Sequence, residues 1–202
     1  MQTAALADPH DPALYRNGLC VALLTACPMR IRNLSSLGVD QHLRNREGSW
    51  EVMLQAFETK TRRADCWAIP NSLVPWLERY LSDVRPALLS RSNRADAGHL
   101  WIGNSGRSVG IQVVRHWIEN VTEAYAGVGM NPHQFRHCAA TTLTLERPSH
   151  TVEAASLLGH ASGRTTERHY IMQNQQLAQA SYLEALKRRT RHARSSGHVS
   201  HC

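Results

Sequence analysis

The stretch LLGHASGRTTERHY, residues 157–170, sets His160 just past Gly159 and places a tyrosine, Tyr170, ten residues later. Upstream, NPHQFRHCAATTL puts His133 and Arg136 three residues apart, on one face of a helix. Imidazole, guanidinium and phenol together suit the cutting of a phosphodiester without a metal. That reaction needs a nucleophile, donors for the charge growing on the non-bridging oxygens, and an acid for the departing hydroxyl. A phenol with a pKa of ~10 is a poor nucleophile at neutral pH, but adjacent cations and a proton acceptor favour the phenolate. Arginine suits phosphate because its planar fork donates two parallel hydrogen bonds and keeps its charge. Taken singly, each residue has a plainer reading: a tyrosine near a histidine usually packs and makes one hydrogen bond, and an arginine pairs with a carboxylate.

Charge agrees with an anionic partner. Lys and Arg number 23 against 16 Asp and Glu, a formal net charge of +7. The basic residues are mostly Arg and are spread through the chain, and no apolar run approaches the ~20 residues of a membrane-spanning helix, so nucleic acid fits better than a membrane. A merely soluble basic surface is the plain alternative. Five cysteines, an odd number without a CxxC pair, point to reduced thiols and a cytoplasmic location. LCVALLTAC, residues 19–27, has the look of an export signal, but Asp8 and Asp11 precede it with only Arg16, and Arg30 and Arg32 follow at once. A zinc site built on His133, His137, His150 and His160 lacks both the intervening Glu of a HExxH pair and a cysteine pair.

These residues must be carried by a frame, and the pattern predicts an α+β fold, mainly helical, with a small three-stranded antiparallel sheet. Residues 1–12 are polar and broken by prolines, and read as a tail or linker remnant. ALYRNGLCVALLTAC follows at helical spacing and Pro28 closes it. Short, partly alternating stretches at Val39–Leu43, Trp50–Phe57 and Cys66–Ile69, separated by NREGS and TKTRRAD, predict the strands. NSLVPWLERYLSDV and SVGIQVVRHWIENVTEAYA are amphipathic helices on either side of a loop at Ser90–Gly98. Asn131 and Pro132 form a helix start, Asn131 as cap and Pro132 at the first helical position. SHTVEAASLLGH is a further helix that Gly159 ends. Lys187–Cys202 is cationic without apolar period, and is expected to be disordered or ordered only against a partner.

In this order the pieces resemble the tyrosine recombinases, or phage-type integrases, over Arg30 to Tyr170. TACPMRIRNLSSL is similar to the family's helix-end motif and selects Arg30, with Arg32 the nearby rival. ETKTRRADCWAIP resembles the hairpin that presents a catalytic lysine, and selects Lys60. NPHQFRHCAATTL matches the His-x-x-Arg-His helix and selects His133 and Arg136; Leu-Gly-His, Thr-Thr and Tyr select His160 and Tyr170. The chain departs from the family in having Asn33 at a usually acidic position and Pro28-Met29 for a Gly-Leu pair. The commoner spacing also places the tyrosine where His169 stands.

The resemblance implies a catalytic domain over residues 13–186 followed by a basic tail at 187–202. It also implies that Tyr170 attacks a backbone phosphate, keeping the 3′ phosphate and freeing a 5′ hydroxyl, with no nucleotide cofactor. Arg30 and Arg136 would clamp the phosphate, His133 would share the tyrosine proton, Lys60 would protonate the leaving oxygen and His160 would bond a phosphate oxygen. Family members add a helical DNA-gripping domain upstream, which residues 1–12 are too short to supply, and assemble as tetramers on DNA. The segment after Tyr170 resembles a final helix that members exchange with a neighbour. The alternatives are a DNA-binding remnant that does not cut and a type IB topoisomerase-like nickase.

Overall fold

The computed structural model describes residues 11–146 and 168–196, with side chains over 11–142 and 175–191. Helix α1, Pro12–Ala26, is the central element: Tyr15, Arg16 and the unbroken run Gly18–Leu24 are all buried. Asp11 starts it, its Oδ1 accepting the N–H groups of Ala13 and Leu14 at 2.8 and 3.1 Å, with Pro12 as its first residue. The interior Arg16 is held by donation to the carbonyl of Ile102 at 2.7 Å and to Asn104 Oδ1 at 3.0 Å. Its guanidinium also lies 3.7 Å from the ring centroid of Trp117.

After Cys27 the chain turns through Pro28 and Met29 into two short helices, α2 (Ile31–Ser35) and α3 (Val39–His42). The sheet follows, with β1 (Leu43–Arg46), β2 (Ser49–Leu54) and β3 (Asp65–Ala68) in the antiparallel order β1-β2-β3. The three strands expected from the sequence are present, but the first is displaced: Val39–His42 is helical and β1 begins at Leu43. The cause is the hairpin. Glu47 and Gly48 both have positive φ (51° and 83°), a two-residue turn that lets pairing run to Arg46 opposite Ser49. Leu43 pairs with Val52, and Glu51 through Leu54 with Ala68 through Asp65.

Helix α4 (Val74–Arg79), a π-helical turn (Tyr80–Val84) and α5 (Arg85–Leu89) follow one another without a gap. The wide turn precedes Pro86, which has no N–H to donate and whose ring would crowd the carbonyl four residues back. Helix α6 (Ile111–Ala126) ends at Gly127 in the left-handed region, φ 70°. Helix α7, Pro132–Glu146, begins with a reciprocal cap: Asn131 Oδ1 accepts the His133 and Gln134 N–H groups, and Gln134 Oε1 accepts the Asn131 N–H at 2.7 Å.

The last helix, α8, spans Arg168–Ser196, so the basic segment expected to be disordered or ordered only against a partner is helical as far as Ser196. Lys, Arg and Ala are good helix formers, cations near a helix C-terminus are favoured by its dipole, and Arg188 bonds Glu184 one turn back at 2.8 Å. Ala178, Tyr182 and Ala185 are buried, and α8 lies against β3 and α7 of the same chain. Tyr182 donates to the Thr25 carbonyl of α1 at 2.8 Å. The segment SHTVEAASLLGH and its Gly159 lie outside the described residues.

Candidate active site

The site is assembled where the end of α1, the start of α7 and the β2–β3 connection meet. Arg30 is the cap residue of α2, with its backbone extended (φ −69°, ψ 143°) and its side chain half-buried. Arg136 emerges from the second turn of α7, 7% exposed, and donates through Nη1 to the carbonyl of Pro28. The turn that carries Arg30 is thereby fixed to the helix that carries Arg136, although more than a hundred residues separate them.

The two guanidiniums and a carboxylate, Asp65 at the first position of β3, share one electrostatic environment. Burial pulls Arg136 down to about 10, and the like charge of Arg30 adds to this while Asp65 opposes it. Burial pushes the Asp65 carboxyl above its ordinary range, against the pull of Arg30 and Arg136. Arg136 remains a cation at neutral pH, so two positive charges converge on a partly desolvated spot, the arrangement that binds a phosphate. Asp65 was not singled out in the sequence, because an acid ending the polar stretch TKTRRAD reads as an ordinary loop residue.

Arg30 also lines an open cavity of about 500 Å³ with Arg32, Asn33, His42, Glu58 and Lys60. Lys60 is exposed in the connection between β2 and β3. Both arginines line the cavity, but their surroundings differ: Arg32 is exposed, whereas Arg30 is half-buried and interacts through its charge with Arg136 and Asp65. Asn33, at the position where the resemblance leads one to expect an acid, is buried at 4% exposure.

His133 lies on the exposed side of α7, one turn before Arg136, with its ring edge-on to His137 at 4.5 Å between centroids. Among the described residues no group of three or more His, Cys, Asp or Glu is placed to hold a metal ion. Tyr170 falls in the first turn of α8, and its side chain lies outside the described residues, as does His160 altogether. The structure therefore brings Arg30, Arg136 and Lys60 to one region, with His133 on the same helix as Arg136. Among the described residues no helix is long and apolar enough to cross a membrane.

Several known proteins are similar to this chain. Tyrosine recombinase XerC of Mycobacterium leprae is 32% identical over 166 residues, 80% of this chain and 51% of the relative. XerC of Alcanivorax borkumensis is 30% identical over 174 residues, 84% and 52% of the two chains. The chain thus spans about half the length of the curated relatives it matches. Its fold matches a XerH site-specific recombinase bound to difH substrate in a pre-cleavage complex, with a TM-score of 0.61 at 17% identity over 80% of this chain and 45% of that one. A post-cleavage complex of XerH on a palindromic difH substrate matches with the same score of 0.61 at 16% identity, over 96% and 50%. The family model described as the phage integrase family matches residues 2–177, and the chain belongs to that family.

Proposed function

We propose that this chain is the catalytic domain of a site-specific DNA recombinase that breaks and rejoins duplex DNA through a 3′-phosphotyrosyl intermediate. The observation that carries the reading is the position of Arg30, which shares a cavity with Lys60 and a charge environment with Arg136. A phosphate there meets the guanidiniums of Arg30 and Arg136 and the ammonium of Lys60. Membership of the phage integrase family supports the same chemistry.

In this reading the phenolic oxygen of Tyr170 forms a bond to phosphorus and the bond to the 5′ oxygen breaks. Arg30 and Arg136 stabilise the charge on the non-bridging oxygens, and His160 adds a donor. His133 takes or shares the phenolic proton, and the Lys60 ammonium gives a proton to the departing 5′ oxygen. The bond energy is kept in the new ester, and a second 5′ hydroxyl reverses the step on a new strand. The domain is taken to run over residues 13–186 with a basic segment at 187–202, to act in the cytoplasm where its DNA lies, and to assemble as a tetramer on that DNA.

The test uses the full 202-residue chain and a pool of duplexes with randomised cores and staggered nicks, so that cleavage releases a short strand and traps the adduct. Wild type should give a covalent protein–DNA band and Tyr170→Phe none. Binding without any band would instead make the chain a DNA-binding remnant. Relaxation of supercoils without recombinant product would make it topoisomerase-like.

A further inference from the structure

Lys60 sits in the connection between β2, which ends at Leu54, and β3, which begins at Asp65. A loop of that length outside the strand ladder needs other contacts to set its ammonium relative to the arginines. Two anchors fall on the residues directly before Lys60. Thr59 is buried, and its hydroxyl donates to the Arg63 carbonyl at 2.6 Å while accepting the Arg63 N–H at 3.1 Å, which closes the loop on itself.

Glu58 instead reaches another part of the fold. Its Oε1 lies 2.8 Å from His42 Nε2 and accepts from Gln41 Nε2 at 3.1 Å, and its Oε2 accepts the Gln55 N–H at 2.6 Å. The His42 ring is buried, and its Nδ1 accepts the Gly38 N–H at 2.7 Å. An Nδ1 that accepts places the neutral ring's proton on Nε2, the atom facing Glu58, so a backbone amide selects the tautomer. His42 ends the segment that Arg30 begins. The relay from Gly38 through His42 to Glu58 therefore links the Arg30 segment to the loop two residues before Lys60.

We propose that the His42–Glu58 pair is a positioning device that sets Lys60 opposite Arg30 for protonation of the leaving 5′ oxygen; this rests on the role of Lys60 given above. Neither His42 nor Glu58 transfers a proton in the reaction. The bond from phosphorus to the 5′ oxygen breaks, that oxygen takes a proton from the Lys60 ammonium, and the lysine is left neutral until solvent restores the proton.

The test uses a duplex recovered from the trapped adduct, made once with the natural bridging 5′ oxygen and once with sulfur in its place. Sulfur departs as a thiolate, whose thiol pKa is about 8.5, and needs no acid. Lys60→Ala should slow cleavage of the oxygen substrate by about 10²–10⁴-fold and Glu58→Ala by about tenfold or more, with both close to wild type on sulfur. Glu58→Gln keeps an oxygen for His42 Nε2–H but turns an NH2 toward the Gln55 N–H, so it should slow the oxygen substrate less than Glu58→Ala does and stay close to wild type on sulfur. If Glu58→Ala does not fold, Glu58→Asp, which withdraws the carboxylate by one methylene, should show the same selectivity for sulfur. An equal defect of the Glu58 variants on both substrates, with Lys60→Ala rescued by sulfur, overturns the positioning role and leaves that of Lys60 standing. A Lys60→Ala variant that sulfur does not rescue overturns both.

Discussion

The side-chain amide of Gln179 meets both backbone polar groups of Ala68, its Oε1 accepting the Ala68 N–H at 3.0 Å and its Nε2 donating to the Ala68 carbonyl at 2.9 Å. β3 is an edge strand, and Gln179 does for it what a fourth strand would do. Gln175, one turn earlier, accepts the Cys66 N–H at 3.3 Å. The match is geometric: four residues of helix rise ~6 Å and two residues of strand ~6.6 Å, so alternate strand residues meet successive helical turns. The helix whose first turn contains Tyr170 is thereby held on its own chain's sheet.

Gln179 also donates to the Ala26 carbonyl at 3.1 Å and is 1% exposed, so its loss removes hydrogen-bond partners from Ala26 and Ala68 at once. Gln179→Ala should lower stability by about 1–3 kcal/mol in denaturant unfolding. Gln179→Glu should cost more, because a carboxylate cannot donate to Ala68 and brings a buried charge. Limited proteolysis of either variant should cut within Arg168–Ser196 before it cuts within α1.

Arg136 combines a structural bond to Pro28 with a place beside Arg30. Arg136→Lys keeps the charge but loses the fork, and should reduce adduct formation by about 10²–10³-fold. Arg136→Ala should in addition lower stability by about 1–3 kcal/mol by leaving the Pro28 carbonyl without its donor. Rates of adduct formation read beside thermal melting separate the two effects.

Thiol reactivity should be divided. Burial pushes Cys20 and Cys27 up to about 12 and Cys66 up to about 11, whereas Cys138 is exposed. Iodoacetamide at neutral pH should alkylate Cys138 in the folded protein and reach Cys20, Cys27 and Cys66 only in denaturant, as peptide mapping would record. Modification of Cys27 at the same rate as Cys138 would contradict the packing of α1 against α8.

Asp96 holds the loop after α5. Its hydrogen bond to Arg85, at 2.7 Å, lowers its pKa against a smaller opposing effect of burial, helped by the Gly98 N–H and the charges of Arg85 and His99. A carboxyl with a depressed folded pKa contributes stability above its unfolded value of about 3.9 and loses it as pH falls through the folded value. The melting temperature of wild type should exceed that of Asp96→Asn at pH 5, and the gap should close as pH falls below 3.9 through that lower value.

Much of the frame was legible because local signals marked it. Asn131 and Pro132 announce α7 in the sequence and perform that cap in the structure. β1 was misplaced because its residues, Leu-Arg-Asn-Arg, carry no apolar alternation, and only the positive-φ turn at Glu47-Gly48 reveals where pairing runs. For the tail of α8 a stripe of Lys and Arg without apolar period predicts disorder, or order only against a partner, but helix propensity carries the helix onward from a packed start. At the candidate site, the motifs select Arg30, Lys60, His133 and Arg136 from the sequence. They do not select Asp65 or the His42–Glu58 pair, whose contacts join distant elements that no local pattern encodes.

The most direct measurement is to digest the covalent protein–DNA adduct with trypsin and locate the attached nucleotide by tandem mass spectrometry, while labelling the released DNA end. The expected result is a nucleotide on the phenolic oxygen of Tyr170 through its 3′ phosphate, with a free 5′ hydroxyl on the other fragment. Attachment at His169, Tyr125 or Tyr182, or a 5′-linked product, would contradict the account.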